Sequence, residues 1–132
     1  MERVLLVVNP LARRVLGRER AAIAAFVRAG VACDVRRTQA PGHAGTLVRD
    51  LVLGACASGD GVYDAVFTLG GDGTAMEVVG ALAGSGVPVG VLPGGTGNLV
   101  ARTLGIPFDT RRAVTTLLDG ARARVDLGAL CT

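Results

Sequence analysis

The chain has 132 residues, half of them hydrophobic and only 3% aromatic, with a net charge of +3 at pH 7. That length fits one domain with a buried core, and Val, Leu, Ala and Ile must fill it, as in parallel strands covered by helices on both faces. All 14 basic residues are Arg, spread from Arg3 to Arg124 among 11 acids, so the charge reads as a solvated surface and not as a nucleic-acid interface; a subset of arginines is left to meet anionic phosphate or lipid.

Cys33, Cys56 and Cys131 are odd in number and fit neither a zinc site nor a disulfide framework, so reduced thiols are expected. The apolar run from Met1 to Val8 lacks the basic start and cleavage site of a secretory signal. No stretch reaches the ~18 apolar residues of a membrane helix, so any membrane contact is expected to be peripheral.

Short apolar runs alternate with longer amphipathic ones. Val4 to Val8 reads as a buried strand ended by Asn9 and Pro10, and Arg18 to Ala29 as a helix stopped by Gly30. Val31 to Arg36 is the second strand, and Pro41 and Gly42 lead into a helix over Ala44 to Ala57. Asp64 to Leu69 is the third strand, followed by the loop Gly70-Gly71-Asp72-Gly73 and a helix over Thr74 to Ala83. Val87 to Leu92 is the fourth strand, followed by Pro93-Gly94-Gly95-Thr96-Gly97 and a helix over Asn98 to Leu104. A helix over Thr110 to Asp119, ended by Gly120, and a fifth strand over Arg122 to Leu127 complete the pattern. Strand–helix alternation with short loops predicts an α/β domain: three layers around a mostly parallel, doubly wound, Rossmann-like sheet. Such sheets bind ligands in the crevice beyond the carboxyl ends of their strands.

Both glycine-rich loops lie between a predicted strand and a predicted helix. A helix start offers unpaired N–H groups and the positive end of the macrodipole. Glycines allow positive φ and close approach of the backbone to a bulky anion, and together these features make a phosphate site without a charged side chain. A single such loop is an ordinary strand-to-helix turn; two of them, each with a hydroxyl residue (Thr74 and Thr96), favour phosphate binding. A Walker A loop is excluded because the chain has no Lys, and no G-x-G-x-x-G follows the first strand. Asp72 could hold Mg²⁺ or its water shell beside a phosphate, or cap the helix. Thr74 and Glu77 have capping-box spacing, so Glu77 reads either as a cap or as a ligand-binding residue. A β-branched residue at Gly73 is expected to be strained at positive φ and to crowd a phosphate.

Gly70-Gly71-Asp72-Gly73-Thr74 after an apolar strand resembles the signature shared by diacylglycerol kinases, sphingosine kinases, bacterial lipid kinases and NAD kinases. Asn9-Pro10, Thr38 with Gly42-His43-Ala44, Leu92 to Asn98 with Ala101-Arg102 and Leu104 to Pro107, and Val125 to Gly128 resemble the lipid-kinase branch, and the similarity spans nearly the whole chain. It implies the N-terminal domain of the NAD kinase/diacylglycerol kinase-like fold and transfer of the γ-phosphoryl group of ATP, with Mg²⁺, to a lipid hydroxyl.

Carried over residue by residue, the resemblance implies nucleotide contacts from Asn9, Pro10, the turn through Arg13, Thr38, Gly71, Asp72, Gly73, Thr74, Glu77, Gly95 and Thr96. Asp72 supports the metal and phosphate, and Asp126 joins the magnesium network through water. Departures are Leu11-Ala12-Arg13 where a small residue and Gly are usual, Met76 where Asn is common, and Leu99 where many members carry Asp. The last removes one carboxylate from the expected magnesium network. His43 matches a position that reads as structural.

The resemblance also implies a β-rich second domain after residue 132, supplying the general base and the lipid pocket. The 132-residue chain alone is therefore expected to be inactive and to bind nucleotide weakly. A cytoplasmic protein, peripheral at the inner face of the membrane, is the expected setting, and a homodimer is compatible with the sequence. Two further readings stay open: an NAD-kinase-like enzyme, and a non-catalytic nucleotide-binding regulatory domain, the latter motivated by Leu99.

Overall fold

The computed structural model describes residues 2–10, 15–40, 42–53, 63–70, 72–93, 106 and 109–120. Four strands, β1 (Arg3–Val8), β2 (Ala32–Arg37), β3 (Ala65–Gly70) and β4 (Val89–Pro93), form one parallel sheet in the order β2-β1-β3-β4. Four α-helices are described with them: α1 (Val15–Arg28), α2 (His43–Val48), α3 (Asp72–Leu82) and α4 (Thr110–Gly120). α1 packs against α4, and α2 against α3, on opposite faces of the sheet. This is the three-layer α/β architecture expected from the alternating pattern. The expected fifth strand and the helix over 98–104 lie outside the described residues.

The central strands are mainly apolar because both faces are covered, with Thr68 as a buried polar residue of β3. Val4 to Val8 of β1 are completely buried, and all six residues of β3 are buried. The edge strand β2 is the least covered and carries Asp34, Arg36 and Arg37, charges that discourage pairing with another chain.

Boundaries differ from the sequence expectation by a few residues, for local reasons. β2 begins at Ala32 because Val31 still belongs to the end of α1. Its N–H donates to Phe26 O (2.9 Å) and that of Gly30, at φ +75°, donates to Val27 O (3.0 Å), the two bonds of a Schellman motif with Val31 as its buried apolar residue. β4 begins two residues late because Val87 N–H donates to Ser85 Oγ (3.1 Å), holding the chain in a turn between Gly84 and Gly86. The expected helix over Ala44 to Ala57 starts at His43 and widens into a π-helical turn over Arg49–Leu53; the part beyond residue 53 lies outside the described residues.

Polar bonds fasten the start of the sheet. Asp64 Oδ2 accepts from the backbone N–H groups of Glu2 (2.7 Å) and Arg3 (3.0 Å). Asp34 Oδ2 accepts from the Tyr63 hydroxyl (2.8 Å) and from Arg3 Nη2 (2.6 Å) and Nε (3.1 Å). The Tyr63 hydrogen bond, then Arg3, holds the Asp34 carboxyl below its ordinary range, and the Arg3 and Glu2 amides do the same for Asp64. A carboxyl with a depressed folded pKa contributes stability that is present above its unfolded value, ~4, and lost as pH falls through the folded value. Acidification from pH 6 to pH 3 is therefore expected to lower Tm, and Asp34→Asn with Asp64→Asn should flatten that loss. Because both groups are well solvated, the contribution is about 1 kcal/mol or less. An undiminished acid loss in the double variant would show that other groups carry it. On the same strand, burial, with the neighbouring Asp34 charge adding to it, pushes the Cys33 thiol up to about 11, so it stays protonated at neutral pH. Cys56 and Cys131 lie outside the described residues.

Candidate functional site at the carboxyl edge of the sheet

Since all four strands are parallel, their carboxyl ends share one edge. The register there is continuous. Val8 lies opposite both Arg37 and Leu69, and Gly70 lies opposite Pro93. Thr38 N–H donates to Val8 O (2.8 Å) and Asn9 N–H to Leu69 O (2.9 Å), which carries the ladder one residue past the strands. Thr38, Asn9, Gly70 and Pro93 thus stand in a row across the edge, at strand spacings of roughly 4.8 Å.

The middle of this row is the topological switch point. From β1 the chain passes to α1 on one face and then to β2; from β3 it passes to α3 on the other face and then to β4. Doubly wound sheets bind ligands at such a point, here at the carboxyl ends of β1 and β3. Asn9 and Gly70 flank it. The two glycine-rich loops leave from Gly70 and Pro93, at the ends of paired neighbouring strands.

Packing at this point is close. A Cβ on Gly70 would lie 2.9 Å from Asn9 Cβ and 3.2 Å from Thr74 Oγ1, so only glycine lets these two side chains approach across the strand end. Thr74 is buried, 8% exposed. Gly70→Ala is expected to displace Asn9 and Thr74 at a cost of about 1–3 kcal/mol, lowering Tm; a wild-type thermal melt would contradict the described packing.

The helix α3 starts at Asp72 and aims its N-terminal turn at the edge. Gly73 sits in that turn without positive φ, and a Cβ on it would meet no heavy atom of the described residues within 4 Å. This corrects the expectation of backbone strain at Gly73. The capping box is likewise not formed, because the helix begins two residues before Thr74. Instead Glu77 Oε1 accepts from the Gly42 N–H (2.6 Å), tying the start of α2 to α3. Gly42, at φ +83°, is the N-cap of α2. His43 Nδ1 accepts from the Gln39 N–H (2.8 Å), in keeping with the structural role read for it.

Of the sequence-derived site residues, the structure brings Asn9, Thr38, Gly73 and Thr74 to this edge, with Pro10 exposed just beyond Asn9. Glu77 lies one turn further along α3, engaged with Gly42. Asp72 opens α3, and its side chain lies outside what is described. Arg13, Gly71, Gly95, Thr96 and Asp126 lie outside the described residues. Gly70 was missed as a functional position, although it is the first glycine of the motif; the need for it arises only when Asn9 and Thr74 meet across the strand end.

The model of the diacylglycerol kinase catalytic domain matches residues 3–130. The chain belongs to the diacylglycerol kinase catalytic domain family. Among its relatives, a diacylglycerol kinase of Bacillus subtilis is 32% identical over 133 residues, covering 97% of this chain and 42% of that protein. A diacylglycerol kinase of Mycobacterium tuberculosis is 39% identical over 83 residues, covering 62% of this chain and 26% of that protein. The crystal structure of a diacylglycerol kinase from Bacillus anthracis matches with a TM-score of 0.71 at 27% identity, covering 86% of this chain and 40% of that one. The chain thus spans from about a quarter to two-fifths of the length of these kinases. Among the described residues no helix is long and apolar enough to cross a membrane.

Proposed function

We propose that this chain is the nucleotide-binding half of an ATP-dependent lipid kinase, acting in the cytoplasm on a diacylglycerol-like alcohol met at the membrane surface. The observation that carries the reading is the switch point, in a chain of the diacylglycerol kinase family: Asn9 and Gly70 flank it, α3 starts beside it, and both glycine loops leave from the neighbouring strand ends.

The residues present fit a phosphate. The first turn of α3 supplies unpaired amides and positive dipole charge, and among the described residues none would touch a Cβ on Gly73. They also fit Mg²⁺, which is commonly held by one or two carboxylates together with substrate phosphates. Asp72, with Asp126 acting through water, would hold an ion bound chiefly by the nucleotide. The ion would neutralise charge on the transferring phosphoryl group.

The work of the chain itself is positional. Amides of Gly71, Gly73, Thr74, Gly95 and Thr96 grip the phosphates, with Glu77 completing the α3 side. Asn9, Pro10, Arg13 and Thr38 hold the rest of the nucleotide along the edge. The hydroxyl substrate and its general base come from a second domain.

Calorimetric titration of the full-length protein with ATP and with NAD, each with magnesium, tests the nucleotide. It is expected to bind ATP, and binding of NAD alone would transfer the protein to an NAD-kinase-like function. Diacylglycerol in mixed micelles tests turnover, which is expected in the full-length protein and absent in the 132-residue chain; robust lipid phosphorylation by the short chain would overturn the proposed division of labour.

A further inference from the structure

The outer end of the carboxyl edge holds an ion pair that the phosphate chemistry does not use. Glu19, in the second turn of α1, is only 3% exposed. Its Oε2 accepts from Arg37 Nη2 at 3.0 Å, while its Oε1 is buried with no hydrogen-bond partner. Arg37 is the last residue of β2, immediately before Thr38, and its side chain is 60% exposed. Glu19 is its polar partner among the described residues.

As a structural brace this arrangement is poor. A buried carboxylate with one unpaired oxygen incurs a desolvation cost that a single hydrogen bond to an exposed arginine does not offset. What it does achieve is to hold an exposed, planar cation in one place. The register sets the strand position: Arg37 pairs with Val8, one residue before the Thr38–Asn9 row, and lies two strand spacings, about 10 Å, from Leu69. A nucleotide whose phosphates lie on α3 and the glycine loops, and which runs across Asn9 toward Thr38, brings its ribose and base to this end. A guanidinium held there can stack on a base and donate to ribose or ring acceptors.

We infer that Arg37 is a nucleoside-recognition residue, which contacts the base and ribose of the bound nucleotide, and that Glu19 is the positioning residue that holds it. The inference rests on the proposed nucleotide site and adds the direction in which the nucleotide lies: phosphates at β3 and β4, nucleoside at β2.

The test uses the full-length protein and titrates ATP, AMP, adenosine and inorganic tripolyphosphate. Arg37→Met is expected to weaken ATP, AMP and adenosine about fivefold to thirtyfold and to leave tripolyphosphate unchanged. Glu19→Gln should weaken the same three ligands by a smaller factor, and Arg37→Lys should recover only part of the loss, since an ammonium cannot stack as a planar group. Arg28→Met, which removes the same charge at the far end of α1, should change none of them. Thermal melts of each variant separate loss of binding from loss of fold. Equal affinity of wild type and a folded Arg37→Met for adenosine and AMP would overturn the inference, as would an equal loss for tripolyphosphate. Failure of the wild type to bind ATP at all would instead overturn the nucleotide site on which it rests.

Discussion

Under the proposed function, Asp72→Asn in the full-length protein is expected to lower phosphoryl transfer by at least about 100-fold, a loss typical of removing one electrostatic support from a transition state. Asparagine keeps the size of the side chain and its hydrogen-bonding oxygen but loses the charge that would hold a magnesium ion or its water beside the phosphates. Asp72 is the first residue of α3, and the site lies where negative charge would be unfavourable to a bare phosphate and favourable to a metal–phosphate complex. The effect should fall mainly on kcat, with a smaller change in KM, because the metal charge matters most as the phosphoryl group leaves. The fold should be unaffected, with a melt close to wild type. Unchanged turnover would remove Asp72 from the machinery.

The second large effect is on stability. Gly90→Ala is expected to destabilise the domain by about 2–3 kcal/mol, a drop in Tm on the order of 10 °C for a chain of this size, and Gly90→Val by more. A Cβ at Gly90 would lie 2.5 Å from Phe67 Cε2 and 3.2 Å from Leu117 Cδ1. The Phe67 ring cannot step aside. It lies edge-on to Phe26 of α1, with centroids 4.8 Å apart and planes at 72°, and is itself 2% exposed. The glycine in β4 is the hole into which the neighbouring strand's ring fits, and so joins α1, α4 and the sheet in one packed unit. Phe67→Leu in the Gly90→Ala background should recover part of the loss, giving a non-additive cycle. Strict additivity, or a wild-type melt for Gly90→Ala, would contradict this packing.

Gly90 also shows how far a sequence can be read. In the run Val89-Gly90-Val91-Leu92 it passes as one weak residue in a strand. Nothing local marks it as obligatory, since its partner is 23 positions away and meets it only through the β3–β4 register. Glu77 is similar: its spacing from Thr74 matched a capping box, but α3 starts two residues earlier and the carboxylate is taken by Gly42, 35 positions upstream. At Gly73 the motif was correctly placed at a helix start, while the reason offered for its glycine, positive φ, was not the one the structure supports. The edge pair Glu19 and Arg37 gave no signal at all, being two ordinary charges 18 positions apart.

By itself the sequence determined the α/β class, the four described strands to within two residues, and the placement of the glycine loop after β3 at a strand-to-helix junction. These follow from local physics: apolar runs of strand length, amphipathic stretches of helix length, and glycine or proline where the chain must turn. The tertiary structure alone decided the order β2-β1-β3-β4, which packs Asn9 against Gly70 and puts the switch point there. It also decided which glycines are packing holes and which charges are buried. Those properties depend on contacts between residues far apart in the chain, and such contacts exist only once the sheet has chosen its neighbours.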